Sequence, residues 1–436
     1  MNFDIGFSIY TLTAILFVRI MGEAPLTVPI LHSRPRITQS VTGATFEGFA
    51  NTPADFMNQY RVVYLSACHE SLNTSLHFDW TINNLPLNST SCRVNWTAPS
   101  SGNFTVTLTV RSDRNLTVAV GTTTEVPVWD LWIVAMGDSY ASGQGNPDKP
   151  AALLGIVPAI WLNPQCHRSA LGSWAFRVYQ YVQKFLPLHG VLFTFLACSG
   201  ASVQNGLLHS ARQELPAQLE VLKGIQIVAN SEFCPESQKC TPLQPDAILL
   251  SVGGNDVDYG EVLVTALWGE PRPVLARIPR RLRSLKRDLA TLAQQLPATS
   301  PGTLLIPHYF DMLRNERGLV DASCATGLNP GDKNRRAHLI RQANREVLLP
   351  LNALIDYSAR RFNWTSVSPI RDIFRAHGIC SKRPLIRTIA ESLRLQGDCF
   401  GAFHPIAEAH ARIARRVWAR LHKQWTQNHH PALVLS

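Results

Sequence analysis

The chain has 436 residues, 45% of them apolar and 17% charged, with a formal net charge of +10. That balance lets it bury a full core, which excludes global disorder and a collagen-like repeat, and the length suggests two domains. No aromatic-interleaved basic strand or known nucleic-acid motif accompanies the positive charge, so no nucleic-acid partner is expected.

The amino terminus carries an apolar stretch, Ile5 to Val18, followed by Arg19, Gly22 and Ala24. It is short for a membrane span and suits a signal peptide over residues 1–24. Asp4, and the lack of Lys or Arg before the stretch, leave an uncleaved signal anchor open. Asn-X-Ser/Thr acceptor sites occur at Asn73, Asn88, Asn95, Asn103, Asn115 and Asn363. Clustered in a Ser/Thr-rich region, the first five suggest a glycosylated surface. The nine cysteines lack zinc spacing and read as oxidised pairs: Cys68 with Cys92, Cys166 with Cys198, Cys234 with Cys240, Cys324 with Cys380, and Cys399 left over. All three features point to a secreted, extracellular protein.

Residues 25–126 read as a small all-β sandwich, immunoglobulin-like or polycystic-kidney-disease-like. Alternating strands are expected at Phe78–Ile82, Arg93–Thr97 and Phe104–Val110. From 127 to 436 the pattern changes. Continuous apolar runs at Leu131–Met136, Val191–Ala197, Ala247–Val252, Thr303–Pro307 and Thr365–Ser368 predict buried strands. Helical patterns lie at Ala170–Phe185, Leu275–Leu296, Arg335–Phe362 and Ile406–Trp425. This alternation predicts an α/β domain with a flavodoxin-like, doubly wound, parallel five-stranded sheet, whose ligands bind beyond the carboxyl ends of the strands. The basic stretches Arg272–Lys286 and Arg412–Lys423 interleave with apolar residues at helical spacing. They read either as core-packed helices with solvated cationic faces or as attraction to an anionic membrane or glycan surface.

The chemistry-bearing motifs fall where the strand rule points. The first strand is followed by Gly137-Asp138-Ser139, the second by Cys198-Ser199-Gly200, the third by Gly254-Asn255-Asp256, and His404-Pro405 opens the last helix. Alone, each motif is equally a turn, a positive-φ glycine or a helix start. In this order they resemble the four blocks of the SGNH, or GDSL-type, serine hydrolases. The text around Trp132–Pro147 and Ser392–Pro405 resembles the extracellular esterase and lipase branch. The likeness covers roughly residues 130–424 and not the amino-terminal region. It implies Ser139 as nucleophile, His404 as general base, and the Ser139 and Gly200 amides with the Asn255 side chain as oxyanion donors.

This chain departs from the family pattern at Gly401, where most members carry Asp three residues before the histidine. The orienting group is therefore expected to be the Gly401 carbonyl, with Asp398, the nearest upstream carboxylate, as a tentative alternative. Asp138, Asp256 and Asp258 are expected to hold loops, Tyr140 to line the pocket, and Asp148 and Trp161 to belong to a loop over it. No cofactor and no metal are implied. The substrate reads as a small-molecule or lipid ester. A carbohydrate acetylester, or a non-catalytic extracellular binding role, are the competing readings.

Overall fold

In a computed structural model, residues 29–68, 76–112, 115–152, 155–187, 189–211, 215–234, 241–268, 272–296, 303–321 and 333–428 are described. The expected leader at 1–24, the acceptor site at Asn73, and Cys240 and Cys324 lie outside them. The chain forms two compact units. One comprises residues up to Arg36, Met57–Asp130 and Leu188–Gly190; the other comprises Ile37–Phe56, Leu131–Pro187 and Val191 onward.

The first unit is β-rich and antiparallel. Strands β1 (Leu31–Ser33), β4 (Val62–Ser66) and β7 (Arg93–Thr97) form one sheet in the order β1-β4-β7. Strands β5 (Leu76–Ile82), β6 (Leu85–Pro86), β8 (Gly102–Ser112) and β9 (Asn115–Val128) form a second, in the order β6-β5-β8-β9. Alternation drives this arrangement: Val63, Leu65 and Val94 of one sheet join Phe78, Trp80, Val106, Leu108 and Val126 of the other in a single buried cluster. Cys68 and Cys92 are disulfide-bonded with Cα atoms 5.1 Å apart, tying the end of β4 to the start of β7. Asn88, Asn95 and Asn103 are all exposed, as glycosylation would require; Asn363, in the second unit, is exposed too.

The second unit is the α/β domain. Its parallel sheet runs β11 (Gly190–Phe195), β10 (Asp130–Gly137), β12 (Ala247–Ser251), β13 (Leu304–Pro307), β14 (Thr365–Val367). This is the flavodoxin-like order expected from the five apolar runs, and each strand lies within two residues of its predicted position. All eight residues of β10 are buried, as a sheet covered on both faces demands. Helices Ile278–Gln295 and Ala407–Gln427 bury their apolar stripes (Ile278, Leu285 and Leu289 on one, Ile413, Val417 and Leu421 on the other). No helix among the described residues is long and apolar enough to cross a membrane.

Two details differ from the sequence expectation. The segment Ile37–Phe56, expected within the amino-terminal sandwich, packs in the α/β unit. The β2 (Thr38–Val41) and β3 (Ala44–Glu47) hairpin leads into a stretch whose Ala50 N–H donates to the Phe193 carbonyl at 3.0 Å, while the Phe193 N–H donates to Gly48 at 2.8 Å. Phe49 and Phe56 bury their rings against Phe176 and Trp132, and this burial holds the segment in the α/β unit. The predicted single helix Arg335–Phe362 is instead Lys333–Ala343, a π-helical turn over Asn344–Leu348, and Leu349–Phe362. Pro350 supplies the cause. It has no N–H to give the Glu346 carbonyl and its ring crowds that carbonyl, so the ladder widens by one residue.

Cys166 and Cys198 are bonded as expected. Cys234 and Cys380 are each disulfide-bonded, and their expected partners lie outside the described residues. Cys399 is free and exposed.

Candidate active site

The first block occupies the turn from β10 into the short helix Ser139–Ser142. Gly137 has φ +123°, and a Cβ there would fall 1.9 Å from the Ser251 carbonyl of β12, so only glycine fits. Buried Gln218 holds its peptide from both sides, accepting the Gly137 N–H at 2.7 Å and donating to its carbonyl at 2.9 Å. Asp138 caps the helix by accepting the Tyr140 N–H at 3.0 Å. Its carboxylate also accepts the Ser251 hydroxyl at 2.9 Å and the Tyr309 phenol. Burial outweighs these donors and pushes the Asp138 carboxyl up to about 6. Asp138 thus holds the loop, as expected, and leaves half-buried Ser139 at the carboxyl end of β10.

The second block follows β11. The Cys198 N–H donates to the Gly137 carbonyl at 2.9 Å, which fixes this loop to the end of β10. Gly200 lies in left-handed backbone (φ +82°) with open space where a side chain would be, so its amide can face a ligand. The third block follows β12. Exposed Asn255 donates one Nδ2 hydrogen to the Ala201 carbonyl at 2.8 Å, next to Gly200, and has a second to offer. Asp256 accepts the Val203 N–H at 3.0 Å, and burial raises its carboxyl to about 7. Asp258 pairs with Arg281.

His404 lies in the loop before the last helix, half-buried. Its Nδ1 is 3.0 Å from the Ala402 carbonyl, so Nδ1 carries the proton and Nε2 keeps a lone pair. The Gly401 carbonyl, the expected orienting group, accepts the His404 main-chain N–H at 3.4 Å and stands with the Ala402 carbonyl as a main-chain partner of the imidazole. Left-handed backbone at Phe403 (φ +64°) separates Ala402 from the histidine. Asp398 faces elsewhere: its carboxylate accepts the Gln396 amide at 2.9 Å and the Phe400 N–H at 2.8 Å. Burial, with only carbonyls as partners, lowers the His404 imidazole to about 4. The Tyr140 ring meets the His404 ring edge-on at 5.3 Å, consistent with a place in the pocket wall.

A clamp that no motif announced joins the serine and histidine loops. Buried Arg387 donates Nε to the Gly145 carbonyl at 3.0 Å and Nη2 to Asn146 Oδ1 at 2.8 Å. Its main-chain N–H donates to the His404 carbonyl at 2.8 Å. Asn146 in turn donates to the Pro405 carbonyl at 2.8 Å, and Gln396 accepts the Gly145 N–H at 3.1 Å. Gly145 packs so closely that a Cβ there would lie 3.2 Å from the His404 Cβ. Seen in sequence, Arg387 and Gln396 are an ordinary basic and polar residue; only their burial marks them.

Over this floor, buried Asp148 accepts the Leu162 N–H at 2.7 Å, the Ser169 hydroxyl at 2.9 Å and the Leu171 N–H at 2.8 Å. These bonds gather the loop carrying Trp161 and Cys166. Trp161 is buried with its ring 5.0 Å from that of His167, and the Cys166–Cys198 disulfide ties the same loop to the second block. The arrangement offers a hydroxyl at a strand end, a neutral imidazole with a fixed tautomer, and main-chain and amide donors in the adjoining loops. Those are the requirements of acyl transfer. Among the described residues no His, Cys, Asp and Glu are grouped to hold a metal ion.

A family model described as the GDSL-like lipase/acylhydrolase family matches residues 135–412. No curated protein sequence matches the chain. Among solved structures the chain is similar to an extracellular lipase from Streptomyces rimosus, with 20% identity over 66% of this chain and 99% of that one, at a TM-score of 0.43. A phospholipase A1 from Streptomyces albidoflavus NA297 shares 18% identity over 64% of this chain and 94% of that one, at a TM-score of 0.37. An acetyl xylan esterase from Geobacillus stearothermophilus shares 12% identity over 67% and 96%, at a TM-score of 0.32.

Proposed function

The chain belongs to the GDSL-like lipase/acylhydrolase family of ester-hydrolysing enzymes, and from that premise we propose that it is a secreted serine esterase or lipase working through an acyl-enzyme at Ser139. The observation that carries the proposal is the linkage of all four blocks at one sheet end. The nucleophile turn is bonded to the second block by Cys198, the third to the second by Asn255, and the histidine loop to the first by Arg387.

In this reading the Ser139 Oγ attacks the ester carbonyl carbon and its proton passes to His404 Nε2. The amides of Ser139 and Gly200 and the Asn255 side chain receive the oxyanion. The C–O bond to the alcohol then breaks as His404 returns the proton to it. Water repeats the sequence and frees the acid. The histidine works as a dyad with Ser139, its tautomer held by the Ala402 carbonyl, and Asp398 is structural.

Secretion is supported by the Cys68–Cys92 and Cys166–Cys198 disulfides, which persist in oxidising compartments, and by the exposure of four acceptor asparagines. The β-rich amino-terminal unit serves as a spacer or binding module. A fluorophosphonate probe and a panel of p-nitrophenyl esters, with acetylxylan and phospholipid alongside, test the proposal. Labelling and turnover that vanish in Ser139→Ala support it, and labelling that persists there overturns it. A preference for acetylxylan would move the substrate to carbohydrate esters.

A further inference from the structure

A small cavity of about 80 Å³ lies against the second block. Its wall is mostly apolar, formed by the Cys166–Cys198 disulfide, Leu196, Leu215, Pro216 and Val221. Cys198 and Ser199 precede Gly200, Ala201 follows it, and all three line the cavity, whereas Ser139, Asn255 and His404 do not. The cavity therefore adjoins the proposed catalytic residues without including them.

Half-buried Arg168 is the one charged residue of this wall among the described residues. Its Nε donates to the Ala197 carbonyl at 2.8 Å, and its Nη2 to the Leu196 carbonyl at 3.1 Å and the Cys166 sulfur at 3.6 Å. That leaves the two Nη1 hydrogens for whatever occupies the cavity. No carboxylate among the described residues pairs with the guanidinium; burial alone acts on it and lowers it to about 10, so it stays charged at neutral pH. The other polar side chains nearby are engaged already. Gln218 holds both sides of the Gly137 peptide, and Ser199 donates to the Cys166 carbonyl at 3.1 Å.

A cation set in an apolar wall without a counter-charge is costly, and an anion that completes its hydrogen bonds offsets that cost. A carboxylate supplies both the charge and the acceptor geometry that a guanidinium matches. The apolar remainder of the wall gains nothing from an inorganic anion but covers the methylene groups of an organic acid. The volume is several times what one water needs and holds an acid of about two to four carbons. We propose that Arg168 and this cavity bind a short-chain carboxylate, the acid that ester hydrolysis releases. The source of the acid rests on the ester-hydrolase reading; the site itself does not.

Binding is measured on the full-length Ser139→Ala protein by calorimetric titration and by NMR line broadening of isotope-labelled propionate. Uncharged 1-propanol and inorganic chloride serve as comparisons. Propionate is expected to bind about tenfold or more tightly than either. Arg168→Met should weaken propionate binding by about tenfold or more. Because that change also frees the Leu196 and Ala197 carbonyls, Val221→Phe is the second variant. It fills the cavity, keeps the guanidinium, and should weaken propionate binding by a similar factor while melting like the parent. An absence of propionate binding overturns the proposal, as does equal binding of 1-propanol or chloride, or propionate binding unchanged in both variants. In the active protein, p-nitrophenyl hemisuccinate carries a carboxylate on its acyl chain and is compared with the butyrate ester. A higher kcat/KM for the hemisuccinate that Arg168→Met abolishes would support the site but overturn the free acid as its occupant. Propionate bound through Arg168 in a protein that no fluorophosphonate labels would support the site and overturn the catalytic reading. Labelling at Ser139 with no propionate bound would do the reverse.

Discussion

Replacing Arg387 with methionine is the sharpest test of how the site is held. The substitution keeps much of the side-chain volume and removes the donors to Gly145 and Asn146. Each is a charge-assisted bond, and the Gly145 carbonyl and Asn146 Oδ1 would be left buried without it, at a cost of about 1.5–3 kcal/mol apiece. Against this stands the relief of a buried guanidinium that burial already pushes below the usual arginine range. The balance is a net loss of about 2–4 kcal/mol, which for a protein of this size lowers the melting temperature by about 2–6 °C. The effect on turnover follows from position, since the same residue's main chain holds the His404 carbonyl. A displacement on the order of 1 Å between base and nucleophile costs about 10²-fold. The assay is kcat and KM on p-nitrophenyl butyrate well below the melting transition of the variant, beside its melting curve. A kcat reduced about a hundredfold with KM little changed fits the clamp. A kcat within threefold of the unsubstituted enzyme, in a variant whose melting temperature has fallen, would refute any role for Arg387 in aligning His404 with Ser139.

The other expectations concern the chemistry itself. Ser139→Ala and His404→Ala should each lower turnover by about 10⁴–10⁶ while melting like the parent, and the double variant should be no worse than either; residual activity within tenfold in either one contradicts the roles. Asp398→Asn should keep turnover within about tenfold, because its carboxylate faces Gln396 and Phe400; a loss on the order of 10⁴ would make it the third member of a triad. His404 must be neutral to take the proton. Since burial lowers it to about 4, the acid limb of kcat/KM should stay flat as pH falls through 6.5 and drop only near 4. An acid limb centred on 6.5 would show an imidazole that burial does not control. Dithiothreitol should inactivate the enzyme by releasing the loop that Cys166 ties to the Gly200 segment, whereas EDTA should not; full activity with Cys166 and Cys198 proven reduced would deny that tether a role.

What could be read from the sequence is local and periodic. Five apolar runs became five strands because a sheet covered on both faces needs every side chain buried, and that leaves an uninterrupted signature. The proposed site residues Ser139, Gly200, Asn255 and His404 stand out in the sequence because they follow strand ends or precede a proline. The rest depended on contacts between distant segments. Ile37–Phe56 groups with residues 25–126 because nothing local sets it apart, and its burial against Phe176 and Trp132 is invisible in the sequence. The π-helical turn needed Pro350 to be weighed against an otherwise helical run. Ala402 joins Gly401 beside the His404 ring because the backbone turns left-handed at Phe403, a non-glycine residue that no pattern singles out. Arg387 carries no mark until its burial is seen.

The pairing of Gly48 and Ala50 with Phe193 also bears on synthesis and truncation. The ribosome releases the edge-covering segment long before β11 emerges, so the sheet closes its border only through a late, non-local step. A shortened protein that begins near residue 127 would retain every proposed catalytic residue and lose that cover. The outer main-chain groups of Phe193 would then be left as an adhesive strand edge. Such a protein is expected to self-associate at concentrations where the full chain stays dispersed.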